Sequence, residues 1–220
     1  MQLKKLNFHY LEKYVLQLYK MSKKHWDNIY ATKHMKEVSW FQEMPQTSLE
    51  LIESLRLKKD ASIIDIGGGD GFLVDHLLKL GYINITVLDI SKNAINRVKE
   101  RLGQDSNKVK WIVSDITEFE PIDKYDIWHD RAVFHFLTTA KDKNNYKKLV
   151  DYAIYGYMLL ATFSDDGPNK CSGLEICKYS ELELKSQFKD SFTVVDSFKK
   201  DHVTPFNTTQ SFTISLFKRN

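Results

Sequence analysis

The sequence of 220 residues contains little cysteine, proline and glycine, and each shortage excludes a class of protein. Two cysteines, Cys171 and Cys177, cannot build a disulfide framework, which favours a reducing compartment. Because their spacing is not that of a CxxC pair, we expect no metal site of the structural zinc type. Four prolines and nine glycines exclude a collagenous or linker-rich chain.

Long apolar runs and a strong charge imbalance are also missing from the sequence. The longest apolar stretch, 157–163, is far below the roughly 20 residues that a membrane span needs. No apolar segment of the secretory-signal type follows Lys4 and Lys5. The net charge of +3 falls short of the basic footprint of a dedicated nucleic-acid binder. We therefore expect a cytoplasmic protein without a membrane or nucleic-acid partner, and the sequence does not indicate its oligomeric state.

The amino-terminal quarter differs in character from the rest of the chain. Residues 1–24 carry six lysines, with leucine and tyrosine at three- to four-residue spacing, which is typical of an amphipathic helix with a basic outer face. Aromatic residues follow between Trp26 and Phe41, and a second helix is predicted over 47–57. We assign residues 1–58 to an N-terminal helical cap and 59–220 to the main domain, as one structural unit.

From residue 61 onward, predicted strands and helices alternate. The near-continuous apolar strands are 62–66, 85–90, 109–113, 125–128 and 157–163. The helices are 72–80, 91–102, 146–155 and 180–188. No helix separates the last two strands, 192–198 and 212–217, so we expect them to pair antiparallel. The pattern predicts an α/β fold: a Rossmann-like, seven-stranded, mostly parallel sheet with an antiparallel edge hairpin, helices on both faces and an N-terminal helical cap.

The first predicted strand runs into the loop Asp65-Ile66-Gly67-Gly68-Gly69-Asp70-Gly71, directly before a helix. Such a loop lets a ligand approach the backbone at the carboxyl edge of the sheet. It lacks the Gly-Lys-Ser/Thr of a P-loop, and Phe72 stands where a dinucleotide fingerprint needs its third glycine. The carboxylates of Asp65 and Asp70 would repel a pyrophosphate by about 1 kcal/mol or more each. A cationic nucleoside such as S-adenosylmethionine therefore fits this loop, whereas a nicotinamide dinucleotide fits it poorly.

Two more acids follow the second and third predicted strands. Asp89, next to Ile90, is placed to accept hydrogen bonds from both hydroxyls of a ribose. Asp115 can accept from the exocyclic amine of adenine, with Ile116 flanking the ring. Each acid alone is an ordinary helix cap or turn former, but acids at three successive strand ends form a much less common set.

With these motifs the sequence resembles the class I S-adenosylmethionine-dependent methyltransferases over about residues 22–220. The segment His25-Trp26-Asp27-Asn28-Ile29-Tyr30, with Trp40, is similar to the Trp-Asp-x-x-Tyr segment of the lysine methyltransferases that modify citrate synthase and translation elongation factor. That resemblance implies that Trp26, Tyr30 and Trp40 lie against the cofactor. The C-terminal half resembles a bacterial branch of unassigned substrate, in Thr162-Phe163-Ser164, Asp166-Gly167-Pro168, Cys171-Ser172-Gly173-Leu174 and His202 with Thr204-Pro205.

The chain departs from the family pattern at two places. Ile154-Tyr155-Gly156-Tyr157 replaces the usual Lys-Pro-Gly-Gly turn before the fifth strand. The fourth strand ends in His129-Asp130-Arg131-Ala132, without the Asn/Asp-Pro-Pro-Tyr motif, which counts against methylation of nucleobase or glutamine amides.

Methyl transfer from a sulfonium is an in-line displacement, so the protein mainly aligns the acceptor and excludes water. We expect the acceptor over the end of the fourth strand, where His129, Arg131 and His135 lie. Arg131 is expected to orient the cofactor carboxylate or an acidic substrate and to share a helix face with His135. His129 or His135 is expected to handle a proton, although either can instead be a packed histidine. The long loop 165–174 is expected to cover the site.

The sequence thus predicts a methyltransferase acting on a small molecule or a protein lysine. The alternatives are a non-catalytic cofactor- or RNA-binding module and, less favoured, a nicotinamide oxidoreductase. The predicted catalytic residues are His129, Arg131 and His135. The predicted cofactor-binding residues are Trp26, Tyr30, Trp40, Asp65, Gly67, Gly69, Gly71, Asp89, Ile90, Asp115, Ile116 and Arg131.

Overall fold

A computed structural model describes residues 23–220, so the basic helix predicted over 1–24 lies almost entirely outside the described residues. Residues 23–32 are helical and form the described part of α1. A single 3-10 turn, Met35–Glu37, follows and is capped by the side chain of His34. Helix α2 spans Gln46–Ser54 and buries Leu49 and Ile52 in the main core.

Nine strands follow in chain order. They are β1 (Ile63–Ile66), β2 (Ile85–Asp89), β3 (Val109–Val113), β4 (Tyr125–Arg131), β5 (Ile154–Phe163), β6 (Lys170–Cys171), β7 (Leu174–Glu175), β8 (Phe192–Val203) and β9 (Thr209–Arg219). Seven of them form one sheet in the order β3-β2-β1-β4-β5-β9-β8, and β6 pairs with β7 in a separate short hairpin. Neighbouring strands from β3 to β5 pair in parallel, whereas β9 runs antiparallel to both β5 and β8.

Helices cover both faces of the sheet. They are α3 (Leu73–Lys79), α4 (Lys92–Leu102), α5 (Ala140–Ala153) and α6 (Glu181–Phe188). Apolar side chains of α2, α3 and α4 pack with Ile63 and Ile127 on one face. Those of α5 and α6 pack with Ile64 and Trp128 on the other face. Neighbouring residues of one strand therefore enter different cores, which explains the near-continuous apolar strands.

The predicted fold class is confirmed. The short β6–β7 hairpin was not predicted, and the other differences concern element boundaries. Helix α5 begins at Ala140 rather than near residue 146, because the side chain of Thr139 accepts a hydrogen bond from the Asp142 backbone N–H and caps it. The helix ends at Ala153, and Tyr155 belongs to β5 instead. Strands β8 and β9 extend beyond the predicted 192–198 and 212–217. In β8, charged residues at 199–201 hide the apolar pattern in the sequence. The division at residue 58 stays a prediction.

Within residues 23–220, no helix is long and apolar enough to cross a bilayer. In the same part of the chain, no group of histidine, cysteine and acidic side chains is arranged to hold a metal ion.

Candidate functional site

The carboxyl ends of β1, β2, β3 and β4 open into one cavity of about 870 Å³. This volume lies near the upper end of the roughly 300–1,000 Å³ usual for ligand pockets. The residues before α2, which we call the cap segment (23–45), line a second side of the cavity through Trp26 and Trp40. The hairpin of β6 and β7 lines a third side through Cys171 and Leu174. The cavity is therefore large enough for a nucleoside cofactor with an acceptor beside it.

The glycine loop after β1 forms the floor of this cavity. Gly67 and Gly69 have φ angles of +64° and +57°, in the left-handed region that favours glycine. A Cβ on Gly67 would lie 2.1 Å from Cγ2 of Val133, and one on Gly69 would lie 2.5 Å from the hydroxyl oxygen of Tyr30. Both the backbone conformation and the neighbouring side chains therefore require glycine at these positions. A larger residue at either position would displace Val133 or Tyr30, which line the cavity.

Asp89, at the end of β2, is buried in the cavity wall. Its carboxylate accepts the backbone N–H of Gly69 at 2.8 Å on one oxygen and that of Ser91 at 2.7 Å on the other. The pKa of Asp89 is raised to about 7, mainly by burial; the two hydrogen bonds lower it, and the charges of Asp65 and Asp70 raise it. Each oxygen keeps a lone pair for a ligand hydroxyl, so the geometry fits the predicted ribose contact.

Asp115 lies beyond the end of β3 and is half-buried. One of its oxygens accepts both the backbone N–H and the hydroxyl of Thr117, each at 2.8 Å. This turn leaves the second oxygen without a partner among the described residues. Ile90 and Ile116 line the same cavity on either side of this position. The set fits the predicted adenine contact, an amine acceptor flanked by apolar side chains.

The two acids of the glycine loop are not equivalent. Asp70 forms a salt bridge with Arg97, whose guanidinium lies 3.0 Å from the carboxylate. Arg101 donates hydrogen bonds to the carbonyl oxygens of Asp70 and Gly71 at 2.7 and 2.6 Å. The charge of Asp70 is therefore largely compensated by α4. Asp65, in contrast, is hydrogen-bonded to a histidine, a difference that the sequence pattern did not indicate.

An aromatic cluster from the cap segment lies over the cavity. The ring of Trp26 lies 6.4 Å from that of Tyr30, 5.7 Å from that of Trp40 and 5.4 Å from that of Phe136. All four residues line the cavity. Burial and the nearby charges of Asp89 and Asp70 raise the pKa of Tyr30, so its hydroxyl stays protonated. The structure therefore brings the three predicted aromatics together, and it adds Phe136 to them.

Side chains of α4 fasten the cap segment to the main domain. Asp27 accepts a hydrogen bond from the hydroxyl of Ser91 at 2.7 Å, and its backbone carbonyl accepts one from Asn93 at 2.9 Å. Arg97 donates to the carbonyl oxygen of Lys33 at 2.6 Å. Asp27 was visible in the sequence only as part of a motif, since its partners lie more than 60 residues further along the chain.

His129 is the central residue of a buried hydrogen-bond chain. Its Nδ1 lies 2.7 Å from an oxygen of Asp65, the partner of His129 in the parallel pairing of β1 and β4. Its Nε2 lies 2.9 Å from the hydroxyl oxygen of Ser48 on α2. All three residues line the cavity. Sequence reasoning missed Ser48, because only the packing of α2 on the sheet brings it near His129.

Arg131 extends from the end of β4 into the cavity. Its guanidinium donates to the carbonyl oxygen of Trp40 at 3.1 Å and lies 5.1 Å from the ring centroid of Phe212. No carboxylate among residues 23–220 forms a salt bridge with it, and burial lowers its pKa to about 10. The next residue, Ala132, has a φ of +77°, a strained conformation for a residue with a Cβ. Arg131 is therefore a cation available to an anionic ligand.

The position of His135 does not support the predicted role in proton transfer. It is completely buried in the 3-10 turn Phe134–Phe136, and it is not among the residues that line the cavity. Burial, together with the charge of Arg131, lowers its pKa to about 3. Because Arg131 ends a strand and His135 lies in this separate turn, the expectation that they share a helix face is wrong.

The long loop 165–174 contains β6, and its end reaches β7. Cys171 lines the cavity, and burial raises the pKa of its thiol to about 11, which disfavours the reactive thiolate. His202, near the end of β8, lies 2.8 Å from the carbonyl oxygen of Ser39 and 3.3 Å from the amide of Gln42. His202 therefore supports the cap segment and does not line the cavity.

Comparison with known proteins finds similarity to methyltransferases. Residues 64–150 match the model of a methyltransferase domain. Malonyl-[acyl-carrier protein] O-methyltransferase 2 of Ilyobacter polytropus is 33% identical over 111 residues, which cover 48% of this chain and 40% of that protein. Human EEF1A lysine methyltransferase 2 is 23% identical over 199 residues, 80% of this chain and 75% of that protein.

Solved structures agree on the fold. A methyltransferase from Anabaena variabilis that depends on S-adenosylmethionine has a TM-score of 0.69 at 14% identity, covering 92% of this chain and 95% of that chain. The 1,6-didemethyltoxoflavin-N1-methyltransferase of Burkholderia thailandensis, solved with S-adenosylhomocysteine, has a TM-score of 0.68 at 16% identity, covering 95% and 90%. The chain spans about 40% of the length of the Ilyobacter relative, so that relative bears on the domain rather than on the whole protein.

Proposed function

We propose that this chain, which carries a class I S-adenosylmethionine-dependent methyltransferase domain, transfers the methyl group of that cofactor to an acceptor bound under the cap segment. The observation that carries the proposal is that Asp65, Asp89 and Asp115, the acids at three strand ends, all line one cavity with the glycine loop. Acids in this order suit a cationic nucleoside and disfavour a phosphorylated one.

The residues around the cavity divide the binding of the cofactor between them. Asp115 accepts from the adenine amine, Asp89 accepts from the ribose hydroxyls, and Arg131 binds the carboxylate of the cofactor or of an acidic substrate. The bound cofactor supplies an already activated methyl group. Trp26, Tyr30 and Trp40 lie against the cofactor, as the resemblance implies. Together with Phe136 they also exclude water and orient the acceptor beside it.

We propose a small molecule as the acceptor in the first place. The acceptor half of the cavity is walled by the cap segment and by the β6–β7 hairpin, and such enclosure favours a compact ligand. The uncompensated charge of Arg131 disfavours an ammonium group next to it and favours an anionic or neutral nucleophile. His129, through Ser48, is the cavity-lining group that can take up a proton if the acceptor carries one.

A protein lysine is the second candidate. Two observations favour it: the Trp26–Tyr30 helix with Asp27, and the similarity to human EEF1A lysine methyltransferase 2 over 75% of that protein. A lysate incubated with the purified chain and labelled S-adenosylmethionine separates the candidates. Label in the low-mass fraction supports a small acceptor, and label only in protein overturns that choice.

Cofactor choice is tested independently by calorimetry. We expect S-adenosylhomocysteine to bind with micromolar affinity and NADH not to bind. Binding of NADH alone would overturn the proposed function and restore the oxidoreductase alternative. Binding of S-adenosylhomocysteine without transfer to any fraction of the lysate would support the non-catalytic module instead.

A further inference from the structure

The hydrogen-bond chain Ser48–His129–Asp65 is unusual because it is almost completely buried and yet borders the cavity. The three residues are 6%, 4% and 5% exposed, respectively. They come from three different elements, α2, β4 and β1, and the two links measure 2.9 and 2.7 Å. Buried polar groups in such a chain fix one another's orientation, and the chain must be fully satisfied to be tolerated.

The chemistry of the three groups sets the direction of each hydrogen bond. A carboxylate only accepts, so Nδ1 of His129 carries the proton that is donated to Asp65. With that proton on Nδ1, Nε2 is an acceptor, and the hydroxyl of Ser48 donates to it. One oxygen of Asp65 is thereby occupied. The other oxygen lies under the glycine loop, 2.9 Å from the position that a Cβ on Gly68 would take.

The strand order indicates which part of the ligand meets Asp65. Strands β3, β2, β1 and β4 are neighbours, about 4.8 Å apart, so their ends span roughly 14 Å. If adenine lies at Asp115 and ribose at Asp89, the amino-acid end of the cofactor reaches the ends of β1 and β4. There the carboxylate of Asp65 can accept from the ammonium group of the cofactor. The guanidinium of Arg131 can bind the carboxylate group of the cofactor.

We infer that Ser48 and His129 are positioning residues that hold Asp65 so that its free oxygen accepts the α-ammonium group of the cofactor. This inference rests on the proposed function. His129 satisfies one oxygen of a buried carboxylate, which would otherwise be free to rotate toward the charge of Arg131. Ser48 fixes the ring of His129 from the side of α2. The packing of α2 on the sheet is thereby coupled to recognition of the amino-acid end of the cofactor.

The experiment compares two probes in calorimetric titrations: S-adenosylhomocysteine, and 5′-methylthioadenosine, which lacks the amino-acid end. In Ser48→Ala we expect the affinity for S-adenosylhomocysteine to fall about fivefold to tenfold, the effect of one hydrogen bond in a polar network. The affinity for 5′-methylthioadenosine should stay unchanged. Ser54→Ala, in the same helix, is the matched control, because the Ser54 hydroxyl bonds only the carbonyl oxygen of Leu51.

His129 variants provide the second arm. His129→Leu should reduce binding of S-adenosylhomocysteine more than Ser48→Ala does, since the carboxylate of Asp65 then loses its partner. His129→Asn, whose amide can still donate toward Asp65, should recover part of the loss. If His129→Leu does not fold, Ser48→Ala and His129→Asn still carry the test.

Three outcomes would overturn the inference. Equal losses for both probes would show a structural role, and unchanged binding of S-adenosylhomocysteine in Ser48→Ala would show no role. A wild-type chain that binds both probes equally would show that the amino-acid end is not recognised. Failure of the proposed cofactor looks different, because the wild-type chain would then bind neither probe.

Discussion

The two halves of the cavity are built in different ways. The cofactor half consists of the ends of neighbouring parallel strands and the glycine loop, which the sheet holds at fixed spacing. The acceptor half consists of the cap segment and the β6–β7 hairpin, attached by side-chain hydrogen bonds such as that of Asp27 to Ser91. A change in the first half should therefore abolish binding outright, whereas a change in the second should weaken turnover by degrees.

The largest effect is expected from Gly69→Ala, which breaks the cofactor half. The new Cβ combines a left-handed φ with a position 2.5 Å from the hydroxyl oxygen of Tyr30. We expect affinity for S-adenosylhomocysteine to fall more than about 100-fold in calorimetry. Gly103→Ala is the control, since Gly103 has a similar φ of +56° with nothing within 4 Å of its added Cβ. That variant should lose only about 1–2 kcal/mol of folding stability and keep its affinity. Equal affinity losses in both variants would contradict this account.

Arg131 lies between the two halves, so Arg131→Ala shows to which half this residue belongs. Losing a charge-assisted hydrogen bond costs about 1.5–3 kcal/mol, so the KM for the ligand that it binds should rise about 10- to 100-fold. Steady-state kinetics with each substrate varied in turn will show whether that ligand is the cofactor or the acceptor. Arg219→Ala is the matched control, because Arg219 lies over Phe192 at the same 5.1 Å as Arg131 over Phe212. Unchanged kinetics in Arg131→Ala would show that Arg131 binds neither the cofactor nor the acceptor.

A pH titration tests the cofactor half without changing a side chain. The pKa of Asp89 is raised to about 7, and hydroxyl donors prefer the ionised carboxylate. Affinity for S-adenosylhomocysteine should therefore fall about tenfold as the pH drops from 8 to 6. Asp89→Asn should bind more weakly and lose this slope. An identical slope in wild type and variant would assign the titration to another group.

The same raised pKa affects folding with a definite sign. The folded chain holds a proton on Asp89 up to about pH 7, whereas an unfolded aspartate releases it near pH 4. This group therefore favours the folded state at low pH, and its contribution is lost as the pH rises through that window. In denaturant unfolding between pH 5 and 7.5, Asp89→Asn should gain stability relative to wild type toward the upper end. A stability difference between Asp89→Asn and wild type that stays constant with pH would contradict the raised pKa of Asp89.

The smallest effect is expected from Asp27→Ala, which loosens the acceptor half. Loss of the hydrogen bond from Ser91 should cost about 1–2 kcal/mol of stability and lower kcat/KM for methyl transfer several-fold. Affinity for S-adenosylhomocysteine should change less. Asp105→Ala, which removes an exposed ion pair with Lys108, should change stability by under about 1 kcal/mol. If Asp27→Ala abolished binding of S-adenosylhomocysteine, the two halves would not be separable.

The difference between the halves also explains what could be predicted from the sequence. Asp65 and Asp89 lie in the last residues of two apolar strands, and Asp115 comes two residues after a third. Because parallel strands bring their carboxyl ends to one edge of the sheet, the local pattern was sufficient to group these acids. The glycine spacing excluded a dinucleotide loop for the same local reason. The methyltransferase domain, the strand order of the sheet and its antiparallel edge hairpin agree with those predictions.

Contacts between distant segments could not be read in this way. Ser48 meets His129 across 81 positions, and Arg131 meets the carbonyl oxygen of Trp40 across 91. The pairing of Asp70 with Arg97 depends on how α4 packs against the loop. His129 and His135 both follow the strand predicted over 125–128, so the sequence pattern did not separate them. In the structure His129 lies within β4 and lines the cavity, whereas the 3-10 turn after β4 buries His135 away from it.

A crystal structure of the chain with S-adenosylhomocysteine tests the central claim most directly. We expect adenine beside Asp115, both ribose hydroxyls on Asp89, and the amino-acid end between Asp65 and Arg131. A nucleoside bound with its ribose away from Asp89, or a nucleotide with phosphates seated on residues 67–71, would contradict it.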